Sequence, residues 1–119
     1  MQKDFYTRLF NTFAAADEDG TDALGFACYH EHLPAIREML DDPRTDRNSL
    51  NVYRMSPLMW AAANGCERAV DMMVADPKTR LDLRDWKNRT AEDCAKDYGH
   101  YTLGDKIAVA AARRPGGMS

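Results

Sequence analysis

The sequence predicts an all-α fold, a solenoid of about three helix-turn-helix repeats behind an N-terminal capping helix, on three observations. DPRT at Asp42–Thr45 returns as DPKT at Asp76–Thr79, 34 positions further on. The same offset relates Ala27, Ala61 and Ala95, carries Gly65 to Gly99, and lays Ile36, Met39 and Leu40 on Val70, Met73 and Val74. Within each unit the apolar residues recur at helical spacing. A two-helix unit cannot hide its own apolar face, so such units bury it by stacking, and about three are needed for stability. The chain is read as one domain over 1–119, with a capping helix at 1–16, repeats at 17–50, 51–84 and 85–112, and a frayed tail at 113–119.

The elements follow in order. The leading KDFYTRLFNTFAAA places Phe5, Leu9, Phe10 and Phe13 on roughly one helical face, which suits a cap on the stack. Each unit then opens with a small-residue segment: DALGFACYH, SPLMWAAANG and TAEDCAKDYG. Ser56-Pro57 is a helix start, because a hydroxyl caps exposed amides and proline at the first helical position gives up no bond; Thr90 can cap the third segment. Gly65 and Gly99 end these first helices in a left-handed conformation. Second helices follow over Ile36, Met39 and Leu40, over Val70, Met73 and Val74, and more loosely over Leu103, Ile107 and Ala108. Alanines 27, 61 and 95 let successive first helices approach closely. Polar stretches at 42–55 and 76–89 are expected to project as hairpin loops.

Composition narrows the function. The net charge is −3, and all of it lies in residues 1–22, where five acids (Asp4, Asp17, Glu18, Asp19, Asp22) face Lys3 and Arg8. No basic stripe remains to neutralise phosphates, so no nucleic-acid partner is expected. No apolar run is long enough for a bilayer and the front lacks a signal-peptide block, so a cytoplasmic protein without a membrane partner is expected. Cys28, Cys66 and Cys94 are odd in number and form no CxxC pair, which suits reduced, buried thiols rather than disulfides or a zinc ribbon.

SPLMWAAANGCERAVDMMV resembles the ankyrin repeat, whose signature is Thr-Pro-Leu-His-x-Ala-Ala, a later glycine, and a Val-x-x-Leu-Leu type of second helix. The resemblance covers residues 17–108, carried in the third unit by Thr90, Ala95, Gly99 and His100 and in the first by 17–20, Leu24 and Ala27. The sequence departs from the pattern at Met59, which replaces the signature histidine, and at Glu31, which stands where the first unit's glycine belongs. Arg54 and Asn88 take the hairpin glycine position, and Arg47 occupies a normally apolar site, so the first hairpin is expected to be less regular.

No pattern for chemistry survives inspection. Tyr29-His30-Glu31-His32 holds two histidines two apart, whereas metal ligation from one helix face needs them four apart. Asp17-Glu18-Asp19-Gly20 lacks the glutamate a calcium loop requires; Phe26 stands there. Neither a nucleophile elbow nor a phosphate-cradling glycine loop is present, so no enzyme, catalytic residue, metal or cofactor is expected. Met59 and Trp60 are read as core or groove-lining packing.

The resemblance implies a non-enzymatic protein-binding module whose partner contacts hairpin tips and the exposed ends of the first helices. Carried residue by residue, that surface is Glu18, Asp19, Thr21, Tyr29 and His30; Val52, Tyr53, Met55, Ala63 and Asn64; and Trp86, Lys87, Arg89, Asp97 and Tyr98. Tyr53, Met55 and Trp86 lie in polar stretches with nothing local to bury them, and residues of this kind dominate interfaces. Charge runs from acidic at Glu18 and Asp19 to basic at Lys87 and Arg89, a polarity that would orient a partner. An inhibitor or immunity factor is one form of this expectation. A monomer or a weak homodimer is expected, and the alternative function is a self-associating subunit built on the apolar C-terminal stretch at Ile107–Ala112.

Overall fold

A computed structural model describes residues 5–15 and 18–114, the side chains of Phe13 and Ala15 excepted. The expected positions of Phe13 and Asp17, and of the tail beyond 114, lie outside the described residues. Seven helices run α1 (Phe5–Ala15), α2 (Ala23–Tyr29), α3 (Leu33–Asp41), α4 (Pro57–Ala63), α5 (Glu67–Ala75), α6 (Ala91–Asp97) and α7 (Tyr101–Arg113), with no strand among the described residues. The short helices α2, α4 and α6 stack in one row, α3, α5 and α7 in a second, and α1 packs on α2 and α3.

Local chemistry sets each start. Asp22 accepts from the Gly25 amide at 2.9 Å, Ser56 caps α4 ahead of Pro57, and Thr90 and Asp93 cap each other's amides at α6. Two helices take their cap from a neighbour instead. The Glu38 carboxylate on α3 accepts from the Tyr6 and Thr7 amides and the Thr7 hydroxyl of α1, and the Glu31 carboxylate accepts from the Arg68 and Ala69 amides of α5. A negative charge at a helix N-terminus also suits the helix dipole.

Six left-handed residues recur at the 34-residue period. Gly20, Arg54 and Asn88 turn the hairpin tips at φ of 77°, 58° and 63°, and Glu31, Gly65 and Gly99 turn between paired helices at 50°, 68° and 88°. A side chain costs about 1–2 kcal/mol in that region, so position rather than residue type decides the turn. Glu31, the departure from glycine, uses its carboxylate to cap the next unit's helix. At Gly65 a Cβ would also sit 2.6 Å from the His100 ring.

Ala27, Ala61 and Ala95 are fully buried between the stacked first helices, and Leu24, Ile36, Met39, Leu58, Met59, Val70, Met73 and Ile107 complete the core. Cys28, Cys66 and Cys94 are buried free thiols. Burial, with Asp85 nearby, pushes the Cys94 thiol up to about 12.

One expectation is corrected in part. Of the expected stripe on α1, Phe10 is buried but Phe5 and Leu9 are 50% and 41% exposed, and Tyr6 takes their place, the Phe10 and Tyr6 rings packing on His32 at 5.4 and 4.7 Å. At Arg47 the first hairpin does differ from the second, with a turn at Arg47 and Asn48 that has no counterpart at Leu81 and Asp82, although the turns before it match. The turns at 42–45 and 76–79 carry the same bonds, Thr45 N–H to Asp42 C=O at 3.0 Å and Thr79 N–H to Asp76 C=O at 3.1 Å. Arg47 is buried because its guanidinium serves three acceptors: the Leu40 and Thr45 carbonyls and the Asp76 carboxylate. One unit on, Leu81 holds its position, and Arg114 from the end of α7 reaches the corresponding Val74 and Thr79 carbonyls. The C-terminal ends of α3 and α5 thus each receive a guanidinium for carbonyls that have no partner within the helix.

The third unit is polar at two positions that are buried in the units before it. Leu24 and Leu58 are buried in units one and two, and Glu92 holds their position in unit three; Cys28 and Ala62 are buried where Lys96 follows. The stem of Lys96 lies over Gly104, where a Cβ would meet it at 2.7 Å, and its ammonium binds Glu92 at 2.9 Å and Asp105 at 3.2 Å. None of the seven helices is long and apolar enough to cross a membrane.

Candidate functional site

The hairpin tips are built by a polar residue at the same register in successive units. The Asn51 side-chain oxygen accepts from the Tyr53 and Met55 amides at 2.9 and 3.0 Å; the Asp85 carboxylate accepts from the Lys87 and Arg89 amides, both at 2.9 Å. Backbone bonds close each tip, Asn51 N–H to Met55 C=O at 3.2 Å and Asp85 N–H to Arg89 C=O at 2.9 Å. Neighbouring tips are then joined, with Val52 N–H donating to Asp19 C=O at 2.8 Å and Trp86 N–H to Tyr53 C=O at 3.0 Å. The result is a continuous row of tips whose amides are satisfied internally and from which Val52, Tyr53, Trp86 and Lys87 stand outside.

Most of the expected surface residues stand on this row and on the adjoining helix ends. Val52 is 66% exposed, Trp86 60%, Tyr98 59%, Tyr29 47% and Tyr53 45%. Glu18, His30, Asn64, Lys87 and Asp97 are exposed, and Asp19 is half-buried. Three side chains differ from expectation. Thr21 is buried and accepts from the Asn51 side-chain amide at 3.1 Å. Met55 is half-buried and packs on the core rather than standing free. Arg89 is half-buried and bound to two carboxylates, Asp85 at 2.9 Å and Asp97 at 3.2 Å, so it stiffens the third tip and adds little free positive charge.

Asp85 is the electrostatic centre of that tip. Its burial works to raise the carboxyl, but the Arg89 amide and guanidinium and the Lys87 amide outweigh burial and hold it below the ordinary carboxylate range. The same opposition holds Asp76 low against Arg47. Cys94 donates its thiol to Asp85 at 3.7 Å.

Behind the tips lies an aromatic set that sequence reasoning left unassembled. Phe26 stacks on His30 at 6.4 Å, Tyr29 meets His30 edge-on at 5.0 Å, and Tyr29 meets Trp60 edge-on at 5.6 Å. The signal was available, since Phe26 and Trp60 share one repeat position, but half-buried aromatics there are indistinguishable from core in a sequence. The Trp60 indole nitrogen is buried without a hydrogen-bond partner. His32 is occupied with the Ala35 amide, which its Nδ1 accepts at 3.2 Å, and among the described residues no three His, Cys, Asp or Glu side chains gather as metal ligands do.

Comparison with known proteins agrees with this architecture. Residues 3–85 match the family described as ankyrin repeats (3 copies). Ankyrin repeat domain-containing protein 63 of Mus musculus is 37% identical over 112 residues, covering 86% of this chain and 27% of that protein, so the chain spans about a quarter of its relative's length.

Proposed function

Because the chain belongs to the ankyrin-repeat family, whose repeats are generally non-enzymatic protein–protein interaction modules, we propose that it binds a partner protein through its row of hairpin tips and the exposed ends of α2, α4 and α6. The observation that carries this reading is the exposure of Tyr53 and Trp86 on tips whose backbone is already satisfied. An aromatic ring held in water by a stiff loop loses little freedom on binding, and such rings commonly supply the largest single contributions to an interface. The proposed surface comprises Glu18, Asp19, Tyr29, Val52, Tyr53, Asn64, Trp86, Lys87 and Tyr98, with Met55 and Arg89 as supports beneath it. The buried free thiols suit a reducing, cytoplasmic setting.

Occlusion of the partner, the inhibitor or immunity role, is the narrower form of the proposal; assaying the captured partner with and without the chain separates it from scaffolding. The self-association alternative rests on the apolar stretch Ile107–Ala112, of which Ile107 is buried and Val109 is 48% exposed, and the charges of Glu92, Lys96 and Asp105, tied to one another, weigh against end-to-end stacking.

Affinity capture with mass spectrometry, run with the wild type and with Tyr53→Ala/Trp86→Ala, tests the main reading. Both side chains are exposed, so the variant should keep its helical circular dichroism while losing the partner. Equal recovery by the two proteins, or no protein recovered by either, would overturn it.

A further inference from the structure

The chemistry of the third tip bears on what kind of partner it selects. Its carboxylates are already engaged: Asp85 by Arg89 and two tip amides, Asp97 by Arg89, and nearby Asp82 by Arg80 at 3.1 Å. Two exposed cations, Arg54 on the second tip and Lys87 on the third, are not, while Arg84 is turned back onto the Asn88 carbonyl at 3.0 Å. Among the described residues, neither Arg54 nor Lys87 has a carboxylate within 4.0 Å. Lys87 Nζ lies 5.0 Å from the centroid of the Trp86 ring, and Arg54 directly follows Tyr53, whose carbonyl accepts from Trp86. Positive charge and aromatic surface are therefore interleaved across the second and third tips, while the first tip carries the exposed acid Glu18.

Resting on the protein-binding reading, we propose that the occupant of the second and third tips is an acidic protein segment. Its carboxylates face Arg54 and Lys87, a neighbouring large apolar side chain packs on Tyr53 and Trp86, and Glu18 repels the same segment from the first tip. Unlike charges across an interface set orientation and exclude wrong partners more than they add raw affinity, so the cations select and the rings hold. Lys87 over Trp86 adds to this, because a cation held against an aromatic face is positioned before the partner arrives.

A displayed random-peptide library, selected in parallel on the full wild-type chain, on Tyr53→Ala/Trp86→Ala and on Arg54→Glu/Lys87→Glu, tests the inference. The wild type should enrich peptides rich in Asp and Glu that carry at least one large apolar residue. Individual peptides should bind the alanine variant about tenfold or more weakly, and their binding should weaken as salt is raised. The charge-reversed chain should enrich Lys and Arg instead. A wild-type pool that needs Tyr53 and Trp86 but shows no acidic excess, or the same pool from the charge-reversed chain, overturns the acidic segment alone. A pool that binds the alanine variant as well as the wild type, or no pool at all, overturns the underlying reading of the tips.

Discussion

Asn51 and Asp85 perform the same task one repeat apart, each accepting two amides of its own tip, but only Asp85 can ionise and only Asp85 holds a guanidinium. Its carboxyl lies below the ordinary range in the folded protein, despite burial, because of the Arg89 and Lys87 bonds. A carboxylate depressed on folding contributes stability above its unfolded value, and that contribution is lost as pH falls through the folded value. Asp42 is lowered to about 2 by its bonds to Arg44, and Asp76 is also lowered, so stability should decline as pH drops below about 4. Asp85→Asn keeps the acceptor that Asn51 supplies and removes the charge from Arg89. The variant should be less stable at pH 7 by about 1–3 kcal/mol, and the deficit should shrink in acid, where the wild type has lost the same charge. Urea titrations at the two pH values check this; an equal deficit at both would show that the charge contributes nothing. Tyr53 and Trp86 could be read as exposed from sequence because nothing apolar surrounds them. Asp85 could not, because an acid in a polar loop looks solvated, and only its register with Asn51 marks it as structural.

At the scale of the element, the 34-residue register made the turns legible even where glycine is absent, since Glu31, Arg54 and Asn88 occupy left-handed positions fixed by their neighbours. The docking of α1 was legible only in part. Its apolar residues form two overlapping stripes, Phe5 with Leu9 and Tyr6 with Phe10, and the choice between them is made by groups far along the chain: the Glu38 carboxylate that binds the Tyr6 and Thr7 amides, and the His32 ring. Glu38→Ala should therefore loosen α1 specifically. Loss of a helix cap costs about 0.5–2 kcal/mol, and amide exchange should accelerate within α1 while α4 to α6 keep their protection. Uniform acceleration across the chain would mean that α1 does not open as a unit. The same distance limit explains Arg47. Its sequence neighbours suggest a misplaced charge, whereas the carbonyls of Leu40 and Thr45 and the carboxylate of Asp76 surround it on folding.

Across the whole molecule, the repeat supplies one packing surface over and over, and stacking stops at a unit whose copy of that surface is altered. Unit three carries the alteration at two positions: Glu92 where Leu24 and Leu58 are buried, and Lys96 where Cys28 and Ala62 are buried. The pair is tied to itself and to Asp105, and Gly104 makes room for the Lys96 stem. A polar outer face of this kind is what keeps a solenoid end from stacking on other surfaces. Glu92→Leu/Lys96→Ala restores the residue types of unit two and should regenerate an apolar end able to seat a second molecule. Unlike surfaces meeting head to tail do not close, so the product should be a ladder of oligomers rather than a single dimer. Sedimentation velocity over a dilution series reads this directly: the wild type should show no concentration-dependent growth through this end, the double variant should, and adding only Lys96→Ala should give a weaker effect because Glu92 remains to be desolvated. A double variant that sediments like the wild type at every concentration would mean that the charged pair does not seal the stack.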